Sequence, residues 1–258
     1  MDRRFPDDAF PVIVAHRGAP RKHPENTLLS FEAALSLGAP VVELDVRLTA
    51  DRVPVVMHDP DVSRTTDGEG FVHELSAARV AGLNAGTPDA PVGVPTLAQV
   101  LELVSGRAAV ALEVKNIPGE PGYEAQDESI VAATLGEVQR VRFEGPVLVL
   151  SFNPRSIAAA RSIAPDVATG FLTTDLVDPD EALSLAGHAG HDFVLPGSRA
   201  LGPAGDGFVE RAHADGVRVG TWTVDDPAGV ETFLAMGVDA IASNDPGMAL
   251  EVLAARPR

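Results

Sequence analysis

The feature that most limits how this chain can fold is a regular alternation along almost all of its 258 residues. Short runs rich in Val, Ile and Leu alternate with Ala- and Leu-rich stretches whose apolar residues recur at helical spacing. Strands are predicted at 12–15, 41–46, 53–57, 109–114, 147–151, 168–172, 193–195, 217–223 and 239–242. Helices are predicted at 26–37, 94–104, 128–141, 154–163, 179–186, 208–215, 227–236 and 246–255. About eight strand-then-helix units predict an α/β fold of the TIM (β/α)8 barrel type in one domain, 1–258. An open, doubly wound sheet is the alternative.

Composition narrows the class of function. The formal charge is -17, from 20 basic and 37 acidic residues, which makes nucleic acid and anionic membranes unfavourable partners. The chain has no cysteine, so disulfides and zinc sites built on cysteine are excluded. Residues 1–11 carry no apolar run of leader length, and no apolar stretch approaches the roughly 20 residues that cross a bilayer. We therefore expect a cytoplasmic protein without stable membrane insertion, and the oligomeric state stays open.

The first polar motif, His16-Arg17-Gly18, follows the first predicted strand. Residues at the carboxyl end of a barrel strand face the mouth, where active sites lie. Histidine transfers protons near neutral pH, and arginine binds a phosphate through two parallel hydrogen bonds. Taken alone, the motif also fits a purely structural His–Arg pair.

Carboxylates end the next two strands of the predicted barrel. Glu43 and Asp45 are two residues apart and so face the same side of their strand, as do Glu113 and Lys115. Carboxylates on one inward face repel each other unless a cation lies between them, and such oxygens suit Mg²⁺ or Ca²⁺. The alternative is solvated carboxylates at strand ends, with Lys115 in a cross-strand ion pair.

A second histidine, His58, follows the apolar run at 53–57. His16 and His58 can flank one phosphate, one as base and the other as acid, which is what cleavage of a phosphodiester requires. Asp59 and Arg64 are expected to brace the His58 loop rather than to perform chemistry.

These residues belong to a pattern that closely resembles the glycerophosphodiester phosphodiesterases. The matching pieces are AHRGAP (15–20), PENT (24–27), GAPVVELDV (38–46), PVVMHDPDVSRTT (54–66), LEVK (112–115), TWTVDD (221–226) and GVDAIASNDP (237–246). The resemblance implies a barrel with a small insertion after the second strand, at about 64–91. It implies hydrolysis of glycerophosphodiesters to sn-glycerol 3-phosphate and an alcohol, with the neighbouring glycerol hydroxyl as internal nucleophile.

The resemblance also implies roles residue by residue. Glu43, Asp45 and Glu113 would bind one divalent cation, and His16 and His58 would be the acid/base pair. The expected substrate contacts are Arg17, Lys115, Glu25, Asn26 and Trp222. Asn26 is equally suited to cap the helix that follows it.

Two positions depart from the family pattern. Asp225 stands where asparagine is more usual, and Ser243-Asn244-Asp245-Pro246 replaces the usual Thr-Asp-x-Pro. Neither departure is expected to touch the metal or acid/base residues. Two other functions stay open: a lysophospholipase D-like enzyme on the same barrel, and a catalytically silent phosphate-binding protein.

Overall fold

The predicted strands close into a parallel barrel. This computed structural model describes residues 4–6, 9–204 and 207–256, so part of the predicted domain 1–258 lies outside the described residues. The strands are β1 (Val12–Ala15), β2 (Val41–Leu48), β3 (Pro54–Val56), β4 (Ala109–Val114), β5 (Val147–Ser151), β6 (Ala168–Thr173), β7 (Phe193–Pro196), β8 (Arg218–Thr221) and β9 (Ala240–Ser243).

Strand pairing confirms the TIM barrel. All the strands except β3 run parallel in the order β1-β2-β4-β5-β6-β7-β8-β9, and β9 returns to β1 with Val12 opposite Ala240. Because β1 pairs with both β2 and β9, the doubly wound alternative is excluded. The short β3 folds back antiparallel on β2, with Val46 opposite Val56.

Helices follow the barrel strands and cover the outside of the sheet. They are α1 (Leu28–Ser36), α2 (Ala77–Ala81), α3 (Leu97–Val104), α4 (Ser129–Arg140), α5 (Pro154–Ile163), α6 (Pro179–Ala189), α7 (Ser198–Leu201), α8 (Phe208–Ala214), α9 (Pro227–Ala235) and α10 (Pro246–Ala254). Short 3-10 turns lie at Val72–Glu74 and Gly202–Ala204. None of the helices in the described part of the chain is long and apolar enough to cross a membrane.

Helix starts are set by capping side chains followed by proline. The α5, α6, α9 and α10 helices each begin with Pro after an Asn or Asp that accepts a hydrogen bond from the first turn. Capping also explains two boundaries that differ from prediction. Thr27 caps α1, and Thr96 forms a capping box with Gln99, so these helices begin at 28 and 97 rather than at 26 and 94.

Two kinds of core hold the barrel. Ile13 and Ala15 of β1 face outward to the helices, whereas Val12 and Val14 face the barrel interior with the inner residues of the other strands. The predicted insertion, 64–91, lies between β3 and α3, and its Val72, Val80 and Leu83 pack in a small apolar cluster with Val55 of β3 and with Val62.

Candidate active site

His16 and Arg17 stand on a tight loop that α1 fixes at the end of β1. The backbone at Arg17 and Gly18 is left-handed, with φ angles of 53° and 90°. The Ser30 hydroxyl accepts from the Ala19 N–H at 2.8 Å and donates to the Arg17 carbonyl at 3.0 Å. A Cβ at Gly18 would lie 2.4 Å from Ser30 Oγ, so only glycine permits this approach. Both functional side chains consequently line the mouth.

Glu43, Asp45 and Glu113 meet inside the mouth. Asp45 is directly opposite Glu113 in the register of β2 with β4, and Glu43 lies two residues before Asp45 on the same face. One oxygen from each carboxylate lies within 4.8 Å of the others, and none of the three residues is more than 6% exposed. The reading of these groups as solvated strand ends is therefore wrong.

Two cations lie against this carboxylate triad (Glu43, Asp45 and Glu113). Lys115 Nζ is 3.0 Å from Asp45 Oδ1 and also pairs with Glu113, while Arg17 Nε is 3.1 Å from Asp45 Oδ2. The Arg17 N–H donates to Glu43 Oε2 at 3.0 Å. Glu43 Oε1 remains buried and without a hydrogen-bond partner among the described residues. A buried carboxylate oxygen with no partner is the opening that a cation would fill.

Charge crowding perturbs the acids of the triad. Burial, together with the neighbouring Asp45 and Glu113, raises the pKa of Glu43 well above its usual value. Burial likewise raises the pKa of Glu113 to about 7, although Lys115 opposes the shift. Burial would also raise the pKa of Asp45, but Lys115 and Arg17 outweigh it and hold that pKa well below its usual range. A divalent cation would relieve the repulsion that helps to raise the pKa values of Glu43 and Glu113.

The donor set fits a hard cation. The triad offers only carboxylate oxygens, which Mg²⁺ and Ca²⁺ prefer, and no cysteine is available anywhere in the chain. Positive charge at this position would stabilise negative charge developing on a bound phosphoryl group.

Cation binding should weaken in mild acid. Because the pKa of Glu113 is about 7, the cation must displace a proton below that pH, whereas Glu113 is already ionised above it. We expect the Kd for Mn²⁺, Mg²⁺ or Ca²⁺ by titration calorimetry to be about tenfold higher at pH 6 than at pH 8, after correction for buffer protonation. The variant Glu113→Gln should bind more weakly and lose this pH step, and an affinity in wild type that is flat from pH 6 to 8 would contradict the argument.

His58 is held by a chain of charges that reaches back to Arg17. Its Nδ1 lies 2.5 Å from Asp59 Oδ1, and the other Asp59 oxygen pairs with Arg64. Arg64 also contacts Glu25 at 2.8 and 3.1 Å, and Glu25 accepts from Arg17 at 3.0 Å. Asp59 and Arg64 thus brace the His58 loop, in agreement with the prediction, and Glu25 links it to the loop that carries His16.

His16 has a neighbour that the sequence reasoning missed. Its Nδ1 lies 2.7 Å from Asn244 Oδ1, and Asn244 Nδ2 donates to Asp225 Oδ2 at 2.7 Å. The expectation that the Asp225 and Asn244 departures lie away from the acid/base residues is therefore wrong. The carboxyl ends of β8, β9 and β1 are adjacent only in the closed barrel, and that closure brings residues 225 and 244 to residue 16. Asp225 and Asn244 both depart from the family pattern, and this joint departure was the signal in the sequence that could have predicted their contact.

Asn26 supports the triad rather than the helix. It is buried, with a left-handed backbone, and its Nδ2 donates to Asp45 Oδ2 at 2.7 Å. The suggestion that Asn26 caps α1 is wrong, because the Thr27 side chain accepts from the Ser30 N–H.

A cavity of about 140 Å³ opens at this cluster and continues into the barrel. Its lining includes both histidines, Arg17, Lys115 and two of the triad carboxylates. Trp222 and Phe152 also line it, edge to face with ring centroids 5.5 Å apart, and the indole N–H donates to the Leu195 carbonyl at 3.0 Å. The deeper lining is aliphatic, including Leu148 and Leu150. The cavity lining thus combines charged and apolar side chains, which suits a phosphate ester with an uncharged carbon skeleton.

Similarity to known proteins covers nearly the whole chain. The profile of the glycerophosphoryl diester phosphodiesterase family matches residues 16–248. A glycerophosphodiester phosphodiesterase of Caldanaerobacter subterraneus is 34% identical over 245 residues, covering 91% of this chain and 94% of that protein. The structure of an Oleispira antarctica phosphodiesterase in complex with the product sn-glycerol-3-phosphate is similar to this chain, with a TM-score of 0.84 and 26% identity. The match covers 96% of this chain and 98% of that protein. The structure of a glycerophosphodiester phosphodiesterase from Agrobacterium tumefaciens matches with a TM-score of 0.76 and 28% identity, covering 93% of this chain and 99% of that protein.

Proposed function

Because this chain belongs to the glycerophosphoryl diester phosphodiesterase family, we propose that it hydrolyses glycerophosphodiesters to sn-glycerol 3-phosphate and an alcohol. The observation that carries the proposal is the buried carboxylate triad beside two histidines and two cations at one barrel mouth. The product complex of the Oleispira antarctica relative supports the choice of glycerol phosphate as the bound group.

The triad would hold one divalent cation, Mg²⁺ or Ca²⁺, which when bound supplies charge neutralisation at the phosphoryl oxygens. Arg17 and Lys115 would bind the phosphate, since both of these cationic side chains line the cavity beside the triad. Glu25 and Asn26 would act here mainly by holding Arg17 and Asp45 in place. Trp222 would pack against the glycerol carbons.

The environments of the two histidines suggest how the proton roles divide. Burial and the adjacent Arg17 lower the pKa of His16 to about 4, so this imidazole is neutral and able to accept a proton. Burial lowers the pKa of His58 too, but the Asp45 and Asp59 carboxylates oppose that shift, and Asp59 at Nδ1 is placed to stabilise an imidazolium, the form that donates a proton to a leaving oxygen. His16 is therefore the proposed base and His58 the proposed acid. The attacking hydroxyl would be that of the substrate glycerol, which expels the alcohol and leaves a cyclic phosphate that water then opens to sn-glycerol 3-phosphate.

The proposal is tested by release of sn-glycerol 3-phosphate from glycerophosphocholine and glycerophosphoethanolamine. We expect release that falls at least about 100-fold with EDTA, because neutralisation of phosphoryl charge is lost, and that returns on addition of Mg²⁺ or Ca²⁺. Glu43→Gln should lose metal binding and activity together. Glu102→Gln, on the exposed face of α3, is the matched control and should retain both. No release from either substrate by protein with cation bound would rule out the assignment.

The apolar part of the cavity lining favours a second candidate function, the cleavage of lysophospholipids. The aliphatic lining beneath Trp222 offers a place for carbon chains that glycerophosphocholine lacks. Choline release from lysophosphatidylcholine, compared with glycerophosphocholine at equal concentration, separates the two substrate classes. Metal-bound protein that binds glycerol phosphate yet cleaves neither would instead be a silent binding protein. The assignments to the cytoplasm and to a single domain, and the exclusion of nucleic acid, rest on the sequence and stay predictions.

A further inference from the structure

Three consecutive strand ends of the closed barrel meet in one polar group, which we call the His16 support (His16, Asn244 and Asp225). His16 follows β1, Asn244 follows β9, and Asp225 lies in the loop after β8. His16 Nδ1 is 2.7 Å from Asn244 Oδ1, and Asn244 Nδ2 is 2.7 Å from Asp225 Oδ2. The chain of contacts runs inward from Asp225 to the mouth.

The proton positions in this support follow from what each group can donate. A carboxylate only accepts hydrogen bonds, so the Asn244 atom that faces Asp225 is the amide NH₂. The Asn244 oxygen must then face His16, and an oxygen opposite Nδ1 at 2.7 Å requires a proton on Nδ1. A neutral imidazole has one N–H, so Nε2 carries the lone pair.

The position of Nε2 explains why this tautomer matters for catalysis. Nε2 lies 4.0 Å from Glu43 Oε2, on the side of the triad, and His16 lines the cavity. A lone pair there can take a proton from a hydroxyl bound in the mouth. The other tautomer would point an N–H at the triad and have its lone pair toward Asn244, so it could not accept a proton from a group bound in the mouth.

The orientation of the Asp225 carboxylate is itself fixed by hydrogen bonds from Ser243 and Asn244. Its Oδ1 accepts from the Asn244 N–H at 2.8 Å and from the Ser243 hydroxyl at 3.3 Å. The Asp225 carbonyl accepts from Arg21 at 3.1 Å. Oδ1 of Asp225 therefore accepts from the end of β9 and the residue after it, and Oδ2 accepts from the Asn244 amide.

We propose that Asn244, oriented by Asp225, is a positioning residue that holds His16 in the Nδ1–H tautomer with its Nε2 lone pair facing the substrate. The catalytic meaning of this support rests on the proposed function, because it matters only if His16 takes a proton from the substrate. The tautomer itself is a property of the resting protein and can be measured without turnover.

Exchanging the two side chains tests the support. In Asp225→Asn the Asn244 amide is satisfied in either orientation, so its NH₂ can face His16 and shift the proton to Nε2. We expect kcat to fall about 10- to 100-fold with KM within about threefold, as for loss of correct base orientation. Asn244→Asp places two carboxylates in contact and should lose a similar factor. The double variant Asp225→Asn/Asn244→Asp restores donor to acceptor at every contact and should recover kcat to within about fivefold of wild type.

The matched control is Asp226→Asn, the same change at the next residue. Asp226 caps α9, a task that asparagine also performs, and it makes no contact with Asn244 among the described residues. Its kcat and KM should equal those of wild type.

The deciding measurement is the ¹⁵N NMR spectrum of the His16 imidazole, assigned by its loss in His16→Asn. Wild type and the double variant should show Nδ1 protonated and Nε2 unprotonated, whereas Asp225→Asn should show a mixture or the reverse. An Nε2–H tautomer in wild type, or an Asp225→Asn variant unchanged in both spectrum and kcat, would overturn the proposal. Wild type with the expected tautomer but no turnover of any glycerophosphodiester would overturn the proposed function and leave the His16 support standing.

Discussion

Replacing His16 or His58 with asparagine should each lower kcat for glycerophosphocholine about 10²- to 10⁴-fold, the range for loss of one general acid or base. Neither imidazole belongs to the carboxylate triad, so the Kd for the divalent cation should stay within about threefold of wild type. Asparagine is the informative replacement because its amide can keep the hydrogen bond that each histidine makes through Nδ1.

The double variant His16→Asn/His58→Asn should have a kcat little lower than that of the less active single variant. The effects of residues that act together in one proton transfer are not additive. His188→Asn, an exposed position on α6, is the matched control and should leave kcat unchanged. If either active-site variant keeps kcat within about threefold of wild type while cation binding is intact, that histidine is not an acid/base group and the proposed division of roles fails.

Replacing Lys115 with methionine should produce the largest loss of stability. Lys115 is 6% exposed, and its ammonium neutralises Asp45 and Glu113 in the metal-free protein. Removing one partner of a buried charge pair leaves uncompensated charge and typically costs about 3–5 kcal/mol of unfolding free energy. Urea denaturation of the metal-free protein measures this loss directly.

Two further variants separate charge from packing at Lys115. Glu113→Gln in the Lys115→Met background removes one of the unpaired charges and should recover part of the lost stability. A saturating divalent cation should stabilise Lys115→Met more than wild type, because the cation then supplies the positive charge that the ammonium no longer provides beside Asp45 and Glu113. Arg107→Met breaks the exposed pair with Glu32 and should leave the urea midpoint nearly unchanged. A Lys115→Met protein as stable as wild type without metal would show that the ammonium does not neutralise the triad.

The sequence by itself determined the barrel and most of the mouth. Strand-and-helix alternation predicted the fold class, because periods of 2 and 3.6 are local properties of the chain. The pairs Glu43 with Asp45 and Glu113 with Lys115 were predictable for the same reason, since residues two apart on a strand share a face. The family resemblance added which of these polar residues belong together.

Only the tertiary structure decided how these groups are protonated and braced. Closure of β9 on β1 brings Asn244 and Asp225 to His16, and no local pattern links residues 16, 225 and 244. The same holds for the chain from Glu25 through Arg64 and Asp59 to His58, and for the burial that raises the pKa of Glu113. Hydrogen-bond partners and desolvation depend on distances between strands far apart in sequence, so the residue types are written in the chain whereas their charge states follow from the closed barrel.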